Sequence, residues 1–412
     1  MFNKVQWKGF LLALQNRSYS KLIRAFSYVV FRFLGLLFAV PAIFTLWMLK
    51  PFVWIKVGIL NYGRIGHLAL NTDLFLRRRQ LGVYPDGPFY CFLSNPNPAN
   101  RQLLTMFKRI MPIYESRVLY GIFFGMLPIL KRTPFHQDLS LNDNEYYEFN
   151  NADSSLFFTH EEVEKGRKLL SQMNVDLEKD EFICIFARDD AYLKQIIPEN
   201  DWSYHDVRNS DIDSLTEAAK YLIEKGFTVI RVGSIVKKPI SFSHKNMIDY
   251  PYSSYRSDFM DIFLLAHCKF IIASGVSGLC NVADIFDRPM LAVNVAEFFY
   301  IPIGKNSLYI PKKYKYIQTN EYLHFRDGRK MGYFWRNPTA HGLEKVDDSA
   351  QDILEATQEM LARLEKRFTY SPESEKLIQA YHKLWGESGV LGSPSKTPIG
   401  IAWLKKNKDI YF

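Results

Sequence analysis

Between Asp180 and Asn294 the sequence switches repeatedly between two hydrophobic periods, and this alternation restricts the fold more than any other feature. Short apolar runs at Phe182–Phe186, Phe227–Val232, Met247–Tyr250, Phe270–Ala273 and Met290–Val293 suit buried strands. Between them, Asp211–Lys225, Asp258–Ala266 and Ser277–Phe286 carry helical spacing. Strands separated by helices of this length pair in parallel through right-handed crossovers, and ligands of such sheets bind beyond the strands' carboxyl ends.

Those strand ends carry the chemistry. Arg188 follows Phe186-Ala187, Arg231 lies in the next strand, and Arg256 precedes the helix after it. A guanidinium presents a planar fork of donors matched to phosphate oxygens, so three of them at one rim suit a diphosphate. Ala273-Ser274-Gly275-Val276-Ser277-Gly278 joins a strand to a helix, where free N–H groups and two hydroxyls can hold a phosphate without lysine. This run lacks the Gly-Lys-Ser/Thr of a Walker loop and is not a G-x-G-x-x-G fingerprint, which disfavours kinases and dehydrogenases. Trp202, Tyr204, Arg208 and Asn209 exceed what capping by Ser210 or Asp211 requires, and are read as site residues. Asp211-Ile212-Asp213 has metal-ligand spacing, but its carboxylates diverge at a helix start, so no metal is expected.

At 412 residues the chain has room for two lobes. The earlier lobe opens with strand Ile55–Leu60 and the turn Asn61-Tyr62-Gly63-Arg64-Ile65-Gly66-His67, followed by helically spaced leucines. The turn puts backbone N–H groups and His67 at a helix N-terminus, which favours an anion or a polar sugar. His67 is the preferred general base and Asp73 a weaker one. Arg64, Gly66, His67 and Asn71 form the acceptor-side set. Strand Phe89–Leu93 ends in Ser94-Asn95-Pro96-Asn97-Pro98, and Leu139–His160 is polar linker. The expected division is 55–177 for the first lobe, 178–335 for the diphosphate-binding lobe and 336–412 for C-terminal helices and tail. Asp347–Phe368 is helical and could fold back across the first lobe, and the tail from Ser388 is a loose end.

The N-terminal 54 residues are basic and apolar. Phe33–Leu49 is nearly free of polar groups, with Arg32, Trp47, Lys50 and Trp54 as interfacial anchors and Pro41 breaking it near its middle. Lys4, Lys8, Arg17, Lys21 and Arg24 precede it, so a membrane-associated segment, spanning or in-plane, is expected. A cleaved signal peptide is disfavoured by its late start. The formal charge of +9 favours anionic partners, but no zinc-finger spacing or RNA-binding signature points to nucleic acid. Cys91, Cys184, Cys268 and Cys280 form no metal-ligand pair and suit reduced, buried thiols on the cytoplasmic side of the plasma membrane.

Four runs carry a family resemblance: Arg64-Ile65-Gly66-His67-Leu68-Ala69-Leu70-Asn71-Thr72, Phe186-Ala187-Arg188-Asp189 with Tyr192, Arg208-Asn209-Ser210-Asp211, and Arg256-Ser257-Asp258-Phe259-Met260-Asp261-Ile262-Phe263. Through them the chain, from Asn61 onward, resembles two-lobed GT-B type glycosyltransferases of bacterial surface-polysaccharide synthesis. More distantly it is similar to GDP-fucose-using fucosyltransferases, although Ala187-Arg188-Asp189 stands where they usually carry Arg-Arg-Gly-Asp. The resemblance implies two Rossmann-like lobes, a nucleotide-sugar co-substrate in the second and an acceptor near the first. With the residues read above, the expected donor site comprises Arg188, Asp189, Tyr192, Arg208, Asn209, Arg231, Arg256, Ser257, Asp258, Ser274, Gly275, Ser277 and Gly278, with His67 and Arg188 catalytic. Transfer would be metal-independent and inverting, to a polysaccharide or lipid-linked glycan. Transfer of a pyruvyl or polyol-phosphate group, or non-catalytic binding by a membrane adaptor, are the rival readings.

Overall fold

A computed structural model describes residues 19–141, 145–196, 201–296, 301–332, 334–386 and 396–412. Lys4, Lys8, Arg17, the side chains of Lys21 and Arg24, residues 142–144 of the polar linker and residues 388–395 of the tail lie outside the described residues. The chain forms two compact units, each α/β. The first comprises Met1–Arg64, Gly82–Ala99 and Phe107–Ser140, and the second Ile65–Leu81, Asn100–Met106 and Leu141–Phe412.

In the first unit, β1 (Ile55–Ile59), β2 (Phe89–Ser94) and β3 (Ile113–Glu115) form a parallel sheet in that order. Its core joins Val57, Ile59 and Leu93 of the sheet to Ala39, Phe123, Met126, Leu130 and Phe135. Two of those residue sets come from the helices Tyr19–Leu49 and Arg117–Leu130. The Tyr19–Leu49 helix runs unbroken through Pro41, correcting the expected break. A proline removes only one helical N–H, and packing of the surrounding turns can outweigh that loss. Val29–Leu49 is 21 residues of high hydropathy, long and apolar enough to cross a bilayer.

The second unit is built on six parallel strands: β4 (Phe182–Ala187), β5 (Thr228–Arg231), β6 (Met247–Asp249), β7 (Ile271–Ser274), β8 (Met290–Val295) and β9 (Leu308–Pro311). Their spatial order is β6-β5-β4-β7-β8-β9. The chain winds outward from β4 to β6, returns to lay β7 on the other side of β4, and winds outward again. The order therefore reverses between β4 and β7, and the carboxyl ends of those two strands leave a crevice that crossover helices cannot fill. β4, β7 and β8 are buried along their whole length, which is why they appear in the sequence as continuous apolar runs.

The sequence's helix at Asp211–Lys225 divides into a 3₁₀ turn, Ile212–Leu215, and the helix Thr216–Glu224. The 258–266 helix extends to His267 and starts on Ser257, whose hydroxyl accepts from Met260 N–H at 3.2 Å. A two-stranded antiparallel sheet of β10 (Lys313–Tyr316) and β11 (Leu343–Val346) has no counterpart in the sequence reading.

The C-terminal region differs from expectation. The helix Ala350–Leu364 packs within its own unit, burying Ile353, Ala356, Met360 and Leu361. The tail is not loose beyond residue 396: Thr397, Ile399, Trp403, Leu404 and Tyr411 are all buried. Gly, Ser and Pro had marked that stretch as loop, but Ile399, Trp403 and Tyr411 supply enough apolar surface to dock it.

Candidate functional site

The β4–β7 crevice is tied together by backbone. Arg188 N–H donates to Ser274 O at 2.9 Å, and Ser210 N–H donates to Arg188 O at 3.0 Å. The segment carrying Arg208, Asn209 and Ser210 thus lies across the ends of both strands. Its close approach depends on Gly275, which has φ +73°; a Cβ there would stand 2.1 Å from Arg208 O. Only glycine meets both requirements at low strain. Ser274 Oγ donates to Ser210 Oγ at 2.8 Å and accepts from Asn294 Nδ2 at 2.9 Å. The Arg188 run, the Arg208–Ser210 run and the serine turn therefore meet, though they are far apart in sequence.

Asn209 is the hub of this rim. Its side-chain oxygen accepts from Arg188, whose guanidinium also donates to His205 O at 3.1 Å. Its backbone carbonyl accepts from Lys312 Nζ at 3.1 Å and Lys345 Nζ at 3.0 Å. Three cations thus converge on one residue. Lys312 is balanced by Asp347 at 2.7 Å, yet burial still draws its ammonium down to about 8. A buried amine in that position supplies strong, poorly screened charge when protonated. Trp202 stacks on His205, which contacts Arg208, so the aromatic loop is bound into the same rim.

Lys312, Lys345 and Asn294 escaped the sequence reading. Lys312 directly follows β9 and Asn294 is the last residue but one of β8, so the rule that singled out Arg188, a polar residue at the end of an apolar strand, applies to them as well. Asn294 takes φ +55° and locks onto Asp348: its N–H donates to Asp348 Oδ2, and Asp348 N–H donates to Asn294 Oδ1, both at 2.7 Å. Burial pushes the Asp348 carboxyl up to about 7.

Other candidates are placed differently. Arg231 is buried, donating to Lys238 O at 2.7 Å and pairing with Asp249 at 3.3 Å, so its guanidinium holds the β5–β6 edge together. Asp189 accepts from Ala191 and Lys237 N–H groups, both at 2.9 Å, and so holds the turn that leads into the short helix Ala191–Ile196. Arg256 is exposed and lies 3.7 Å from Asp261, while Asp258 accepts Arg101 N–H at 2.7 Å. Tyr192 faces Asp258 and Asp261; burial, and then those charges, push its hydroxyl up. Lys238 bridges Asp211 and Asp213 at 2.7 Å each, so lysine occupies the position the metal-like spacing offered.

Gly66 and Gly278 bring the first glycine turn beside the serine turn. A Cβ on Gly66 would lie 2.5 Å from Gly278 Cα, and one on Gly278 would lie 2.8 Å from Gly66 N. Ser277 Oγ accepts Leu279 N–H at 3.3 Å. His67, exposed in the first turn of the helix Ile65–Gln80, pairs its Nδ1 with Asn71 Oδ1 at 3.1 Å. Asp73 is fully buried, pairs with Arg77 at 2.6 Å and is pushed up to about 6 by burial, which places it inside a structural cluster with Asp287. Arg64 lies in the first unit and is exposed. Among the described residues no group of three His, Cys, Asp or Glu side chains is placed to hold a metal.

No protein-family model and no curated protein matches the sequence. Among solved structures the chain is similar to the Escherichia coli ADP-heptose LPS heptosyltransferase II, at 14% identity, covering 76% of this chain and 100% of that one, with a TM-score of 0.44. It is also similar to a glycosyltransferase family 9 protein from Veillonella parvula, at 12% identity over 76% of this chain and 98% of that one, with a TM-score of 0.35. A third is the dodecameric iron-containing heptosyltransferase TibC in complex with ADP-D-beta-D-heptose, at 10% identity over 75% and 78%, with a TM-score of 0.35. At these scores the likeness assigns no residue and no substrate to this chain.

Proposed function

We propose that this chain is a glycosyltransferase that moves a sugar from a nucleotide-sugar donor to a surface glycan or lipid-linked acceptor. The observation that carries the reading is the convergence of Arg188, Lys312 and Lys345 on Asn209 beside the β4–β7 reversal. The departing group in such a transfer is a nucleoside diphosphate, whose charge grows as the glycosidic bond breaks. Fixed cations and the backbone N–H groups of the Ser274–Gly278 turn stabilise that charge without needing a metal.

His67 acts as the general base. With Nδ1–H donating to Asn71, Nε2 presents its lone pair and takes the proton of the acceptor hydroxyl as that oxygen attacks the anomeric carbon. One C–O bond forms, one breaks to the diphosphate, and the configuration inverts. Residues 178–335 bind the donor, with Arg208, Tyr192, Ser257 and Asp258 around the rim. The protein works at the cytoplasmic face of the membrane, anchored by its N-terminal helix.

The test is titration of the full chain with a panel of nucleotide-sugars by calorimetry, followed by product analysis. Arg188→Ala should lose donor affinity and turnover together, and His67→Ala should lose turnover while still binding donor. Full activity in either variant removes the role given to that residue.

A further inference from the structure

The middle of the apolar N-terminal helix is fixed to a second apolar helix, backbone against backbone. A Cβ built on Gly35 would stand 2.5 Å from Gly125 Cα and from Ile122 O; one on Gly125 would stand 2.2 Å from Phe31 O. One on Gly121 would meet the Phe31 ring at 2.6 Å. Gly121 and Gly125 are four residues apart on the helix Arg117–Leu130, the small-xxx-small spacing that lets helices touch where lipid gives no hydrophobic drive.

Depth in a bilayer is therefore shared. Phe31 and Gly35 lie within Val29–Leu49, so wherever that stretch enters the apolar phase, Gly121 and Gly125 go with it. The second helix is suited to this: Val118 is 56% exposed, Leu119 53% and Phe124 38%. Its 14 residues reach about 21 Å, short of the ~30 Å hydrocarbon core, so it cannot cross. Aromatic and basic residues gather where both helices end. Trp47 packs edge-on against Phe135 at 5.1 Å, and Trp54 Nε1–H donates to Pro134 O at 3.2 Å. Lys50 lies over both tryptophan rings, Lys56 over Trp54, and Lys131 and Arg132 directly follow the second helix. Such a belt complements anionic headgroups.

We propose that Arg117–Leu130 is a second membrane-seated element, lying in the plane of an anionic bilayer beside the N-terminal helix while Phe123, Met126 and Leu130 hold its inner face on the sheet. This rests on the reading that the N-terminal helix enters the membrane. The full chain, with Cys91→Ser to silence the one half-exposed thiol, is reconstituted into phosphatidylglycerol/phosphatidylcholine vesicles. A nitrobenzoxadiazole probe is attached in turn at Phe124→Cys, Leu37→Cys and, as an aqueous control, Tyr147→Cys. Probes at 37 and 124 should be quenched at least five-fold more by lipid-borne spin labels than by iodide, and the probe at 147 by iodide. Lipid quenching at 37 with iodide quenching at 124 overturns this inference alone. Iodide quenching at both overturns the anchor reading as well. Shielding at 124 without lipid, with a doubled particle mass, means that a second copy covers the face and also overturns it. Leu119→Glu with Phe124→Glu should lower partitioning into anionic vesicles ten-fold or more, and unchanged partitioning counts against the proposal.

Discussion

Arg188 and Arg231 end adjacent strands of one sheet, yet their surroundings are unlike. Arg188 leaves β4 at the reversal of strand order, where the neighbouring strand end is a serine–glycine turn and the facing segment is the Asn209 loop. Arg231 ends β5, one strand outward, where Asp249 of β6 and the Lys238 carbonyl absorb its donors. The same residue type in the same local pattern thus becomes part of a rim at one position and an internal clamp at the other. The difference comes from topology: at the reversal, successive crossovers leave in opposite directions and no helix covers the strand ends.

Four measurements can break or sharpen that contrast. The largest effect is expected from Arg188→Ala, a fall in kcat/KM of about 10²–10³-fold, as for loss of one fixed donor to a developing charge; steady-state kinetics with the donor found by the panel would check it. Gly275→Ala should destabilise by about 2–3 kcal/mol, because it combines a positive φ with a Cβ forced against the Arg208 carbonyl; denaturant unfolding reads this, and a neutral result would mean that the Arg208–Ser210 segment is free to move away. Arg231→Leu should cost about 2 kcal/mol of stability for the charged hydrogen bonds lost while leaving kcat per folded molecule unchanged; a kcat loss matching that of Arg188→Ala would erase the distinction between the two strand ends.

The last measurement concerns pH. Burial raises the folded Asp348 carboxyl to about 7, above its unfolded value, so its contribution to stability is fully present near pH 4 and is lost as pH rises through 7. Asp348→Asn should flatten that part of the stability profile by at most about 1.4 kcal/mol per pH unit. Equilibrium unfolding of both proteins across pH 4.5–8 decides this, and parallel profiles would mean that the carboxylate, held by Asn294 and Trp403, stays charged.

The alternation of short apolar runs with helical stretches was legible because buried parallel strands must be apolar throughout, and their crossover helices must be amphipathic. Arg188, Ser274 and Gly275 were legible for a related reason: a polar or glycine residue directly after such a run marks where the strand leaves the core. Lys312 and Asn294 followed the same rule and were missed, Lys312 because β9 lies behind a turn-rich stretch that hid its strand, and Asn294 although the run Met290–Val293 before it was read as a strand. The tail was misjudged on composition, although Trp403 and Tyr411 were there to anchor it.

By itself the sequence determined β1, β2 and β4 to β8, the helices between β4 and β8, the apolar N-terminal helix and that Arg188 and Ser274 stand at strand ends, since each depends on neighbours only a few positions away. Tertiary structure alone decided that Arg188 joins two lysines at Asn209 while Arg231 is internally paired, and that Gly66 abuts Gly278 and Gly35 abuts Gly125. Those outcomes depend on strand order and on backbone approach between segments tens to hundreds of residues apart, which local periodicity does not encode.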